Sequence, residues 1–447
     1  MPPTRDAPVT PASDTPVTPA SDTPVPPTRD TRVTPTLQSL RESPNALARH
    51  YTAFRVEDRL LFTGHSHQAW PDVAYEGQKQ AWCDAAAHVD AKWDLVAAKV
   101  ERVADGYRGL MGGADGDFAL DANTHALVVR FLSALPIRER PRIVTTDGEF
   151  HSIRRQLDRL AEEGIEVVRV AVDPVDTLAE RVGEAVDERT ACAMISSVLF
   201  GSGLVVPGLA AVADACLARG AELLVDAYHS LGVVPFSLDG LERAFVVAGG
   251  YKYLQLGEGN CVLRIPPDCA MRPLVTGWFA EFAELAESPE TVETVESAGP
   301  AGSRRTRDGR RVQYGEGAAR FAGSTFDPTS VYRASAVLDF FLEHGLTPRF
   351  LREVSQHQVG LLVDTFTGLD LDPAVVRLHS EMPLEQRGGF LALEAQRAGE
   401  LRAALLERGV RTDHRGTVLR FGPAPYLSDR QITDAIGILG EVAAAVG

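Results

Sequence analysis

The chain has 447 residues, more than one average domain, and its 45% hydrophobic and 24% charged content is ordinary for a globular protein. Its formal net charge of −16 argues against a nucleic-acid or anionic-membrane partner, whose phosphates such a surface repels. The five cysteines are odd in number, widely spaced and never in a CxxC pair, which reads as reduced core residues of a cytoplasmic protein. No apolar run reaches membrane-span length, and the amino terminus lacks a signal-peptide pattern.

Residues 1–36 repeat the octet TPVTPASD almost in tandem. Such a segment has too little large apolar surface to offset its ordering entropy, so a disordered tail is expected. Residues 37–70 read as an amino-terminal arm ending in Phe62-Thr-Gly-His-Ser-His-Gln-Ala-Trp70. His65, Ser66 and His67 there are candidates to face a substrate. Two alternate histidines without a third ligand nearby do not make a metal site, and none is assigned.

From Pro71 to Leu110, apolar residues at helical spacing, interrupted near Val89, predict two helices. Asn123 and Thr124 precede the apolar helix Ala126 to Leu135. A capped helix start leaves free amides that suit an anion such as a phosphate. Strands are predicted at Arg142 to Thr146, Glu166 to Val172, Thr190 to Ser196 and Glu222 to Asp226. A helix running to Glu163 and two more at Val175 to Val186 and Pro207 to Arg219 lie between them. This alternation specifies α/β architecture with a largely parallel sheet. Phe150, alone, reads as core. Ser196, Ser197 and Ser202 follow a strand, at the edge where ligands collect in open sheets.

Asp226 ends one apolar strand, and a second run, Ala244 to Ala248, breaks at Gly249-Gly250 to present Tyr251 and Lys252. An acid and a lysine thus meet at one sheet edge. A lone Asp and Lys usually make a surface ion pair. Here the lysine follows an apolar strand and two glycines in a lysine-poor sequence, and the pair matches the needs of pyridoxal phosphate: a carboxylate to keep the pyridine nitrogen protonated and a lysine to hold the aldehyde. No GxGxxG follows a strand and no GxxxxGK[ST] is present.

Beyond strand Cys261 to Ile265 come Thr276-Gly-Trp-Phe279, a segregated acidic and basic loop over residues 281–311, and Phe321-Ala-Gly-Ser-Thr-Phe326. The remainder reads as helix Val331 to Glu343, strands Val375 to His379 and Gly389 to Glu394, helix Ala398 to Arg408, strands Val410 to His414 and Val418 to Phe421, and helix Asp429 to Ala445.

Asp226, His229 three residues later, and the Tyr251-Lys252 pair resemble the cofactor core of kynureninases and the wider class V aminotransferase group, and the resemblance spans most of residues 50–447. It implies the fold type I architecture, with a seven-stranded-type, mostly parallel sheet in a large domain (71–330) and a small carboxy-terminal α+β domain (331–447). It further implies a homodimer with shared active sites, and a cofactor pocket of Asn123, Thr124, Phe150 stacked on the pyridine ring, Ser197, Asp226, His229, Tyr251, Lys252, Trp278 and Thr325. Catalysis falls to Lys252 and Tyr251. Arg420, in LRFGPAPYLS, is similar to the arginine that holds the carboxylate of an L-amino-acid substrate. The implied reaction is side-chain cleavage or elimination through an α-carbanion, in kynureninases hydrolysis of the Cβ–Cγ bond. Two features depart from kynureninases: Thr325 replaces an asparagine, and Gly-His-Ser-His replaces a Gly-Asn-Ser loop. The threonine is similar to that of cysteine desulfurases, an alternative opposed by the lack of any cysteine after Cys269. A catalytically silent regulator on the same fold is a further alternative, opposed by intact Asp226, Lys252 and Arg420.

Overall fold

The computed structural model describes residues 34–281 and 312–446. The repeated tail up to Val33 and the charged loop beyond Glu281 lie outside the described residues.

Seven strands form the main sheet: β1 (Asp117–Asp121), β2 (Arg142–Thr146), β3 (Glu166–Val170), β4 (Thr190–Ser196), β5 (Glu222–Asp226), β6 (Phe245–Gly249) and β7 (Cys261–Ile265), in the order β1-β7-β6-β5-β4-β2-β3. Pairings from β6 across to β3 are parallel, and only β7 runs against its neighbours. The sheet is therefore mostly parallel and seven-stranded, as expected. Alternate residues supply its two faces. Ile143, Met194, Leu224, Phe245 and Val247 pack with helices Thr124–Ala134 and His151–Glu162. Val144, Ile195, Val225, Val246 and Ala248 pack with Leu178–Glu184 and Leu209–Arg219. With both faces covered, β4 and β6 are buried along their whole length.

β1 was not read from the sequence, because only Phe118 and Ala119 of its five residues are buried. The two helices expected between Pro71 and Leu110 are Val73–His88 and Lys92–Leu110, parted at Val89, whose φ of 50 ends the first.

A second sheet of four strands carries the C-terminal part: β8 (Arg377–Leu378), β9 (Leu391–Glu394), β10 (Asp413–Arg415) and β11 (Val418–Phe421), in the order β10-β11-β9-β8, all antiparallel. Helix Ala398–Glu407 packs on it, and helix Asp429–Val446 packs on that helix and on Pro348–Gly368. The longest described helix, Pro348–Gly368, was missed in the sequence, although Thr347 caps it and Pro348 occupies its first position. The strand expected over Val410 to His414 is in fact two. Val410–Arg411 leaves the sheet to pair in parallel with Leu60–Leu61 of the amino-terminal arm, and only Asp413–Arg415 belongs to β10. Phe62 and Gly64 extend this pairing by bonding Arg411 and Gly422, so the His65 loop is fixed beside the end of β11. Among the described residues, no helix is long and apolar enough to cross a membrane, and no group of His, Cys, Asp and Glu could hold a metal.

Candidate active site

At the carboxyl ends of the parallel strands lies a cavity of about 340 Å³, within the range of small-ligand sites. Asn123, Thr124, Phe150, Asp226, His229, Tyr251 and Lys252 all line it. These residues come from separate loops, which the parallel topology delivers to one edge.

Asp226 ends β5. Burial raises its carboxyl above the usual range, against a 2.8 Å bond from the Tyr228 amide and the Lys252 charge, which lower it. Lys252 sits three residues past β6, in a tight passage that Gly249 permits: a Cβ there would collide with the Tyr228 ring. The lysine is 5% exposed. Its Nζ lies 2.6 Å from His229 Nε2, 4.5 Å from the Tyr228 ring centre and 5.1 Å from that of Phe150. Burial lowers its pKa to about 7, Asp226 opposing. His229 is likewise held neutral, by burial and by the Lys252 charge, and its buried Nδ1 has no partner. The cavity thus holds a lysine able to lose its proton near neutrality and a carboxylate that burial leaves eager for a cation.

The amino end of helix Thr124–Ala134 forms another wall. Asn123 Oδ1 accepts from the Ala126 amide, and Thr124 Oγ1 donates to Cys261 Sγ at 3.6 Å. Burial raises the Tyr251 phenol and keeps it protonated. His67, exposed, stacks on Tyr251 with centroids 5.0 Å apart, and Ser66 is half-buried beside it.

Other candidates lie elsewhere. Ser197 points away, its Oγ bonded to the Asp226 carbonyl and the Ser230 hydroxyl, while its neighbour Ser196 lines the cavity. Trp278 and Thr325 are exposed and do not line the cavity of this chain. His65 is fully buried, bonded to Asp413 at 2.8 Å. Arg420, on β11, is 2% exposed and donates to Asp413 and to the Phe200 carbonyl.

Three residues were not singled out from the sequence. Tyr228 donates its amide to Asp226 and holds its ring centre 4.5 Å from Lys252 Nζ. Glu149, buried beside Phe150, accepts bonds from Thr146 and Ser196, and burial raises its pKa to about 7. Asp413 faces Arg420 across the β10–β11 hairpin; an acid and an arginine flanking a short glycine-containing turn was the available signal.

The family model described as aminotransferase class-V matches residues 122–288, and that described as kynureninase C-terminal domain matches residues 351–439. A kynureninase of Pseudomonas fluorescens is 27% identical over 360 residues, 76% of this chain and 78% of that one. One of Burkholderia pseudomallei (strain 1106a) is 27% identical over 362 residues, with the same shares. Among solved structures, the cystine C–S lyase C-DES in complex with its product cysteine persulfide superimposes with a TM-score of 0.72 at 16% identity, covering 88% of this chain and 99% of that one. The apo cysteine desulfurase of Thermococcus onnurineus NA1 gives 0.71 at 15%, covering 90% and 99%. The solved structures share the fold; the class-V model covers the acid and lysine of the main sheet, and the C-terminal-domain model covers β11, which carries Arg420. The chain is thus kynureninase-like, similar to the class V aminotransferase group, and has the fold of the fold type I pyridoxal-phosphate enzymes.

Proposed function

We propose that the protein cleaves the side chain of an L-amino acid in the manner of a kynureninase, by Cβ–Cγ hydrolysis or a β- or γ-elimination. The observation that carries this is Lys252, buried in the cavity with a pKa near 7 and facing Asp226 and His229. The residues present fit pyridoxal phosphate. Asp226 offers an under-partnered buried carboxylate for the pyridine nitrogen, Phe150 a flat face, and Asn123 and Thr124 a helix amino terminus for the phosphate. When bound, the cofactor supplies an electrophilic carbon for the substrate amine and an electron sink for the bonds at Cα.

The chain's own groups do the rest. Lys252 exchanges a proton near neutral pH and is assigned to the proton on Cα. Tyr251 is a protonated phenol at the same wall. Arg420 supplies a planar cation for the substrate carboxylate. His67, with Ser66, is assigned to the substrate side of the pocket, on the strength of its stack on Tyr251.

A homodimer is supported by the exposed Leu274, Val275, Trp278 and Val312, which would be covered by a second copy and would bring Trp278 and Thr325 toward its site. Five unpaired cysteines support a reducing, cytoplasmic setting. A desulfurase-type reaction is favoured by the solved structures alone, and the absence of any cysteine after Cys269 weighs against it. Turnover of L-kynurenine, 3-hydroxykynurenine and smaller β- and γ-substituted amino acids, with products identified by mass spectrometry, tests the reading. Anthranilate release is expected at kcat/KM below about 10⁴ M⁻¹s⁻¹, since Thr325 and the His65 loop replace polar partners of the aryl ketone. Alanine from cysteine with the sulfur recovered as persulfide, and no carbon–carbon cleavage or elimination product from any of these substrates, would overturn it.

A further inference from the structure

Arg420 is the cation assigned to the substrate carboxylate in the proposed function, and the role inferred for its neighbours rests on that assignment. Its guanidinium is already engaged. Nε donates to Asp413 Oδ1 at 2.9 Å, Nη2 to Oδ2 at 2.6 Å, and Nη1 to the Phe200 carbonyl at 2.7 Å. A guanidinium carries five N–H groups, so one hydrogen on each terminal nitrogen is left. Asp413 has closed the lateral edge of the fork, and the two remaining donors sit on the nitrogens that make an end-on pair.

Asp413 is itself held. His65 Nε2 lies 2.8 Å from Oδ1, and since a carboxylate only accepts, the imidazole donates. The ring is wholly buried, packs 4.7 Å from Phe390, and fits only because position 422 is glycine, where a Cβ would collide with it. Arg420 lies over the same Phe390 ring at 5.5 Å. Against the burial that would raise it, the bonds to His65 and Arg420 keep Asp413 well below the usual carboxylate range, so it stays ionised. Burial lowers His65 to about 4, so it acts as a neutral donor. An ordinary hairpin ion pair would be exposed. This one is largely buried, is bonded to a loop of the arm 348 positions away in sequence, and is tied by the Phe200 carbonyl to a residue that lines the cavity with Lys252.

We propose that Asp413 and His65 are positioning residues for carboxylate recognition: Asp413 occupies the lateral edge of Arg420, His65 locks Asp413, and an α-carboxylate is received only by the remaining Nη1 and Nη2 donors. One docking mode in place of two fixes Cα relative to Lys252, and the arginine's rotamer entropy is lost on folding rather than on binding.

The test titrates the holoenzyme with L-alanine and with ethylamine, its carboxylate-free analogue, through the visible absorbance of the bound cofactor. The ratio of the two Kd values reads carboxylate recognition alone. Asp413→Asn is expected to reduce the preference for alanine at least tenfold with ethylamine affinity within twofold of the parent. His65→Phe should do the same, and His65→Gln, which keeps an N–H donor at the same reach, should restore the preference. The His65 pair decides between the outcomes even if Asp413→Asn does not fold. Full preference in His65→Phe and Asp413→Asn, with its loss in Arg420→Gln, would show that Arg420 needs neither neighbour and would overturn the inference. Full preference in Arg420→Gln would instead remove the carboxylate assignment, and this inference with it.

Discussion

The chain contains only four lysines, Lys79, Lys92, Lys99 and Lys252, so the protonation of Lys252 can be read without interference. Its pKa falls from 10.5 to about 7, chiefly through burial. That difference corresponds to roughly 5 kcal/mol favouring the neutral amine, an upper bound set by a fully formed cavity. At pH 7 the amine should then be about half neutral, whereas an ordinary lysine is neutral about one time in 2,500. Trace labelling of the cofactor-free protein with acetic anhydride across pH 5 to 11, quantified per lysine by mass spectrometry, should give an inflection near 7 for Lys252. Asp226 raises the Lys252 pKa, so Asp226→Asn should move the inflection down by about one unit. An inflection for Lys252 near 10, or an upward move in Asp226→Asn, would refute the account of a desolvated amine opposed by a buried carboxylate.

Borohydride reduction of the holoenzyme should fix the cofactor on Lys252, and a label on any other lysine would sink the site. Arg420→Gln should raise KM by about 30-fold or more with cofactor retained, the loss of a charge-assisted pair worth about 2 to 4 kcal/mol; an unchanged KM for the true substrate would remove Arg420 from the pocket. Burial raises Glu149 from 4.5 to about 7, so between those values the folded chain binds a proton the unfolded chain has lost. Its contribution is therefore present below pH 4.5 and declines by about 3 kcal/mol as pH rises to 7. Melting of the cofactor-free protein at pH 5.5 and 7.5 should show a smaller drop in Glu149→Gln than in the parent, and identical drops would mean that Glu149 stays ionised throughout.

The alternation of apolar strands with helices, and the carboxylate and lysine just past two of those strands, were legible because parallel topology brings every strand's carboxyl end to the same edge whatever the sheet order. Thus Asn123, Thr124, Phe150, Asp226, His229, Tyr251 and Lys252 could be named from local pattern and resemblance, and they line one cavity. Helix Pro348–Gly368 was also written in the sequence, in its cap and its proline, and went unread. The fate of His65 was of another kind. Nothing local distinguishes a histidine that meets a substrate from one that holds an aspartate, and the choice was made by the parallel pairing of Leu60–Leu61 with Val410–Arg411, which docks the arm on the strand end carrying Gly422. Arg420 was identifiable by its motif and Asp413 by the short glycine-containing turn between them, yet which donors remain open also depended on Phe200 in a distant loop. Contacts between segments hundreds of residues apart leave no periodicity in either segment, so only the tertiary structure could decide them.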